Sequence, residues 1–271
     1  MGDTYYVLGN NGYLPGVEAY PKAREAALKA LELDESLAEA HASLAAARAE
    51  YDRDWSAGER EYQRAIGLNP SYATAHAWYA WNLAVTGRDS EAIREIELAR
   101  RLDPLSPRIS ANVGLVLYFA RQYDRAIAEL LKAVELEPGN VAAHLYLSST
   151  YLQKGINGEA LSEAQKAASL WHDPRALFSF ARVYAVTGKR DQALKKLGDL
   201  EELSKREHVS PYLIAIVSVA LGHTNEAFAW LQKGLDDHDG PMGEMKVEPA
   251  LDPLRSDPRF QDILRRMNFP P

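Results

Sequence analysis

Prolines at 70, 104 and 138 stand 34 residues apart in this 271-residue chain, which confines it to architectures built from stacked copies of one small unit. A second marker keeps the same period. Alanines at 92, 126, 160, 193 and 227 each follow by five residues a turn marked by Gly87, Arg121, Gly155, Gly188 or Gly222. The segment Leu37-Ala38-Glu39-Ala40-His41 returns as Tyr72-Ala73-Thr74-Ala75-His76 after 35 residues. One such unit cannot bury an apolar face alone, so stacked neighbours must supply the core.

Each unit reads as two helices. Tyr79, Leu83 and Thr86 follow helical spacing up to the turn at Gly87, and Ile93, Ile96 and Ala99 follow it afterwards. No stretch alternates apolar and polar residues with period two, so no strands are expected. Asp89, Ser90 and Asp124 are predicted N-caps, and the periodic prolines stop each second helix without breaking it. Small residues at 80, 114, 148, 181 and 215 mark where paired helices approach closely.

The spacing resembles the tetratricopeptide repeat, whose signature places Trp, Leu, Gly, Tyr, Ala, Phe, Ala and Pro at fixed offsets in 34 residues. One unit supplies His76, Tyr79, Ala80, Leu83, Ala92, Ile96, Ala99 and Pro104 at those offsets. The next supplies Ser110, Val113, Gly114, Leu117, Ala126, Leu130, Ala133 and Pro138, and a third His144, Leu147, Ser148, Tyr151, Ala160, Ala164 and Ala167. The signature tryptophan is missing throughout, and the resemblance covers residues 17–238. It implies an all-α fold, a right-handed superhelical solenoid of antiparallel helix pairs. Residues 1–36 are expected to form an incomplete first repeat, 37–238 six repeats, and 239–271 a loop and C-terminal capping helix. Met1-Gly2 reads as an expression remnant, and Leu8-Gly9-Asn10-Asn11-Gly12 as a turn. Ser256 or Asp257, followed by Pro258, suits the start of the cap, whose stripe is Phe260, Ile263, Leu264 and Met267.

The runs Tyr51-Asp52-Arg53-Asp54-Trp55 and Leu102-Asp103-Pro104-Leu105-Ser106-Pro107 narrow the resemblance, as does the closing stretch from Leu251 to Phe260. They are similar to the C-terminal repeat arrays of bacterial signalling proteins, including serine/threonine kinases, nucleotide cyclases and winged-helix regulators, which often carry a TolB-like domain before the repeats. Only the array is present, so no kinase, cyclase or DNA-binding activity carries over. The resemblance implies a fragment of something larger.

Composition removes several function classes. With 31 basic against 38 acidic residues the net charge is −7, which disfavours a nucleic-acid partner. Cysteine is absent, removing disulfides, thiolate metal sites and cysteine nucleophiles. No apolar run suits a membrane span and no signal peptide is visible, so the expectation is a cytoplasmic protein, with the periplasm equally compatible with the lack of cysteine. No nucleophile elbow, phosphate-cradling loop, dinucleotide fingerprint or paired metal-site histidine motif occurs, so no enzyme activity and no cofactor are expected. His41, His76 and His144 recur at one repeat position and read as packing residues, not metal ligands. The cluster Asp236, Asp237, His238, Asp239 and Glu244 reads as a solvated loop.

A second stripe on the first helix of each repeat carries large residues beyond the core face. The candidate site residues are Trp78, Trp81, Arg108, Asn112, Leu115, Tyr118, Phe119, Tyr146, Arg175, Phe178 and Arg182. The resemblance implies that these offsets line a concave groove where peptides bind. Ala77, Trp81, Ala142 and Tyr146 replace the polar groups of the chaperone-type carboxylate clamp, so that clamp is not expected. The expected function is a non-catalytic scaffold that holds a protein or peptide. The alternative is a regulatory module that senses a ligand for its own upstream domain.

Overall fold

The computed structural model describes residues 2–11, 13–170 and 174–270; Met1 and Gly12, two positions of the N-terminal expectations, lie outside them. The described residues contain fifteen α-helices and no strand. They form antiparallel pairs: α1 (Gly2–Asn10) with α2 (Gly16–Leu33), α3 (Ala38–Ala46) with α4 (Trp55–Leu68), α5 (Ala73–Val85) with α6 (Asp89–Leu102). The series continues with α7 (Pro107–Phe119) and α8 (Tyr123–Leu136), α9 (Val141–Gln153) and α10 (Asn157–Leu170), α11 (Pro174–Val186) and α12 (Arg190–Ser204), α13 (Pro211–Ala220) and α14 (Thr224–Asp236). Among the described residues no helix is long and apolar enough to cross a membrane.

The repeat markers explain the stacking. A Cβ on Gly114 would lie 2.3 Å from Leu130 Cγ, so α7 and α8 approach as closely as they do because position 114 has no side chain. Ala80, Ala181 and Ala215 are fully buried at the equivalent position, and Ser148 there donates to the Ala160 carbonyl. The first helix of each inner pair also touches the first helices before and after it, as α5 touches α3 and α7. That is why α5 is buried from Ala75 to Val85, whereas α6 buries only one stripe.

The turn glycines at 87, 155, 188 and 222 have φ between +71° and +88°, and Arg121 takes the same left-handed conformation at +57°. The expected caps differ. Asp89, Ser90 and Asp124 sit inside the first turns of α6 and α8, because those helices begin directly after the left-handed turn. Side-chain caps come instead from Asp54, Ser106, Asn140 and Asp257. Gly9 and Asn10, expected in a turn, lie inside α1, where Gly9 faces the Ala19 methyl.

The repeated histidines bind the two helices of a pair together. Nδ1 of His41, His76 and His144 lies 2.7, 2.7 and 2.5 Å from Glu61, Glu95 and Glu163. Each Nε2 lies within hydrogen-bond distance of a carbonyl six residues earlier, that of Glu35, Pro70 or Pro138.

After α14 the chain turns back into the superhelix. Two 3₁₀ turns, Gly240–Glu244 and Pro249–Leu254, lead to α15 (Pro258–Arg266), which packs on α14 and buries Phe260 and Ile263. This return closes the array on itself. Phe269 stacks on Trp55 at 4.8 Å, and Trp55 Nε1 donates to the Met267 carbonyl at 2.9 Å. Arg53 donates to the Leu235 carbonyl at 2.6 Å, and Tyr51 meets the His238 ring at 4.6 Å. On the other side of this seam, a Cβ on Gly16 would lie 1.7 Å from the His238 carbonyl oxygen, and one on Gly240 would lie 2.5 Å from that of Gly9. The two ends of the array meet backbone to backbone.

Candidate functional site

The first helices of the inner pairs present their second stripe to a central chamber of about 300 Å³. The stripe keeps the i, i+3, i+4, i+7 spacing of one helix face. It runs Ala142, Leu145, Tyr146 and Ser149 on α9, then Arg175, Phe178, Ser179 and Arg182 on α11. Helix α7 adds Arg108, Ala111, Asn112, Leu115 and Tyr118, α5 adds Trp78 and Trp81, and α13 adds Tyr212, Leu213 and Ile216. Ten of the eleven expected site residues therefore face one cavity. Phe119 is the exception. It follows Tyr118 and so points about 100° away around α7, into the packed core, where it is 4% exposed.

The opposite wall has no precedent in the repeat pattern. It consists of Tyr6, Val7, Asn10 and Asn11 from the N-terminal end and Pro241, Glu244 and Glu248 from the C-terminal return. Tyr6 packs edge-on against Trp78 at 4.5 Å, and a Cβ on Gly243 would lie 2.7 Å from the Trp81 ring. Trp81 is 9% exposed for that reason, so it braces the wall as well as lining the cavity. These wall residues escaped sequence reading because they lie outside the period that identified the stripe. The acidic segment also differs from the solvated loop expected of it, since Asp239 is buried and Glu244 is half-buried on the chamber wall.

Charge is distributed by depth. Arg108 and Glu137 are exposed at the rim, where Arg175 stacks on the Tyr13 ring at 4.6 Å and donates to its hydroxyl. At the inner end Arg182 is buried and fully engaged: it donates to Ser149 at 3.1 Å and to the Tyr118 hydroxyl at 3.3 Å, and lies 3.5 Å from Glu248. Tyr118 in turn donates to Glu248 at 2.6 Å, and the same carboxylate accepts from the Ala250 amide at 2.9 Å. Burial, then the neighbouring carboxyls of Glu248, Glu50 and Asp239, pushes Glu244 up to about 8. Among the described residues its carboxyl has no hydrogen-bond partner, and neither has the buried Tyr212 hydroxyl. Burial raises Tyr146 to about 12, with Glu244 adding to the shift. No group of three or more His, Asp or Glu among the described residues is arranged to hold a metal ion.

Comparison with known proteins matches residues 44–107 and 114–174 to a family model described as tetratricopeptide repeat. The small glutamine-rich tetratricopeptide repeat-containing protein 2 of Mycosarcoma maydis is 28% identical over 88 residues, 32% of this chain and 25% of that protein. The chain spans a quarter or less of the curated relatives it matches. Among solved structures, a chain of the Cut9–Hcn1 hetero-tetramer of the APC/C superposes with a TM-score of 0.63 at 17% identity, covering 98% of this chain and 54% of that one. Pseudomonas aeruginosa PilF superposes with a TM-score of 0.54 at 24% identity, covering 76% of this chain and 92% of its own. At these identities the likeness establishes the fold.

Proposed function

The chain is a tetratricopeptide-repeat superhelix, and from that premise we propose that it is a non-catalytic binding module whose ligand is a protein segment or peptide held in the central chamber. One observation carries the reading: aromatic, arginine and asparagine side chains from five successive repeats converge on a single cavity. Tryptophan, tyrosine and arginine are the residues that most often anchor interfaces. The preformed cavity also limits the ordering cost of binding.

The wall formed by α1 and residues 241–248 restricts what can enter. The volume of about 300 Å³ is at the lower end for enclosed ligand sites. A helix lying along the whole groove would have to displace one end of the chain, so the ligand is a short extended segment. Rim Arg108 favours a carboxylate on its outward part.

Adjacent residues of α9 separate binding from folding. Tyr146 is half-buried on the chamber wall, whereas Leu147 is fully buried in the repeat core. Random octapeptides retained by the immobilised protein provide the ligand for titration. Tyr146→Ala should weaken the retained peptide at least ~30-fold, the equivalent of about 2 kcal/mol. Leu147→Ala should cost about 2–5 kcal/mol of stability. Retained peptides that bind Tyr146→Ala as tightly as the parent would refute the chamber as the site.

A further inference from the structure

We infer that the inner end of the chamber receives a free ammonium group, the N-terminus of a peptide that enters amine first; this rests on the peptide-binding reading above. Two groups lead to it. Glu244 and Tyr212 both line the cavity, and the Tyr212 hydroxyl lies close enough to Glu248 and Glu244 to feel their charge; Tyr212 is 1% exposed, and among the described residues its hydroxyl has no hydrogen-bond partner. Buried polar groups are almost always satisfied, so the Tyr212 hydroxyl calls for a polar group from outside the chain, and the Glu244 carboxyl, open to the chamber, lines the same space.

The sign of the ligand charge follows from how the other polar groups are used. An anion would need the Arg182 guanidinium. That group already meets Ser149, Tyr118 and Glu248, and Glu248 is 4% exposed and anchors the Ala250 amide. Displacing it would unpick the return segment. An ammonium needs only acceptors, and the Glu244 carboxylate and the Tyr212 oxygen are both acceptors. The burial that holds the Glu244 proton on near neutral pH is offset when a cation sits against it. Aromatic faces border the same place: Tyr146 feels the Glu244 charge, and the Trp81 ring abuts Gly243, the residue before Glu244. Such faces favour a cation and the apolar first side chain that accompanies it. The chain then runs outward past Arg108, where an acidic side chain completes the match.

Two synthetic pools of random octapeptides, one with free and one with acetylated N-termini, test this against the immobilised protein, with retained peptides identified by mass spectrometry. Retention should come from the free pool. Acetylating a retained peptide should weaken it at least ~10-fold, as expected for loss of a charge-assisted hydrogen bond. Glu244→Gln should remove that preference without lowering the melting temperature, and Tyr212→Phe should reduce it. Equal retention from both pools, lost in Tyr146→Ala, would overturn the amine inference while leaving peptide binding intact. No retention from either pool would overturn both.

Discussion

The histidine at the signature-tryptophan position is the clearest single-residue device in the repeat. Both ring nitrogens of His144 face acceptors, Glu163 at 2.5 Å and the Pro138 carbonyl at 3.0 Å. The Glu163 contact, partly offset by burial, raises the imidazole above its usual range. A raised native pKa stabilises the fold fully below the unfolded value and loses that contribution as pH rises through the native one. His144→Leu should therefore cost about 2 kcal/mol at pH 6 in urea unfolding, because Glu163 keeps only Lys166. Adding Glu163→Leu should recover part of the loss; strictly additive losses would show that the pair is uncoupled. Periodicity identified the histidines as packing residues, but not their glutamates. The register between the two helices of a pair is set by side-chain packing, on which spacing along one helix is silent.

At the scale of elements, α15 was legible and the path leading to it was not. Asp257 and Pro258 start the helix, and of the four residues expected in its stripe Phe260, Ile263 and Met267 are buried and Leu264 is half-buried at its edge. The 3₁₀ segments before it follow no period, so nothing in the sequence revealed that Glu244 and Glu248 enter the groove or that Phe269 reaches Trp55. The segment therefore has two jobs: it covers α14 and ties the last repeat to the first. Deleting residues 252–271 should expose the face containing Phe228 and free Trp55 from its stacking partner and its hydrogen bond to Met267. Most helicity should survive, since repeats are stabilised by near neighbours. The expected signature is self-association in size-exclusion chromatography together with a red shift in tryptophan emission. A monomer with unshifted emission and the parent melting temperature would deny both roles.

For the whole molecule, closing the superhelix buries acids where its two ends meet, and above about pH 5 this makes stability fall as pH rises. Burial raises Glu50 to about 7 and Asp239 to about 6. Glu50 accepts from Tyr20 at 2.7 Å and Asn10 at 2.9 Å, and Asp239 from Ser210 at 2.6 Å, none of them a cation. Together with Glu244 near 8, these groups hold protons in the native state that the unfolded chain has released above about pH 4.5. Where the native state binds more protons, stability falls as pH rises, so the loss should extend from about pH 5 to pH 8. The raised imidazoles of His76 and His144 act in the same direction, whereas the lowered ones of His208 and His238 oppose it only below their unfolded range. The melting temperature should therefore be several degrees higher at pH 5.5 than at pH 8.5. Glu50→Gln with Asp239→Asn should flatten that slope, because amide oxygens can still accept from Tyr20 and Ser210 without carrying charge. A melting temperature that rises with pH in the parent, or a slope unchanged in the double variant, would mean that the seam between the two ends is not where the protons are held.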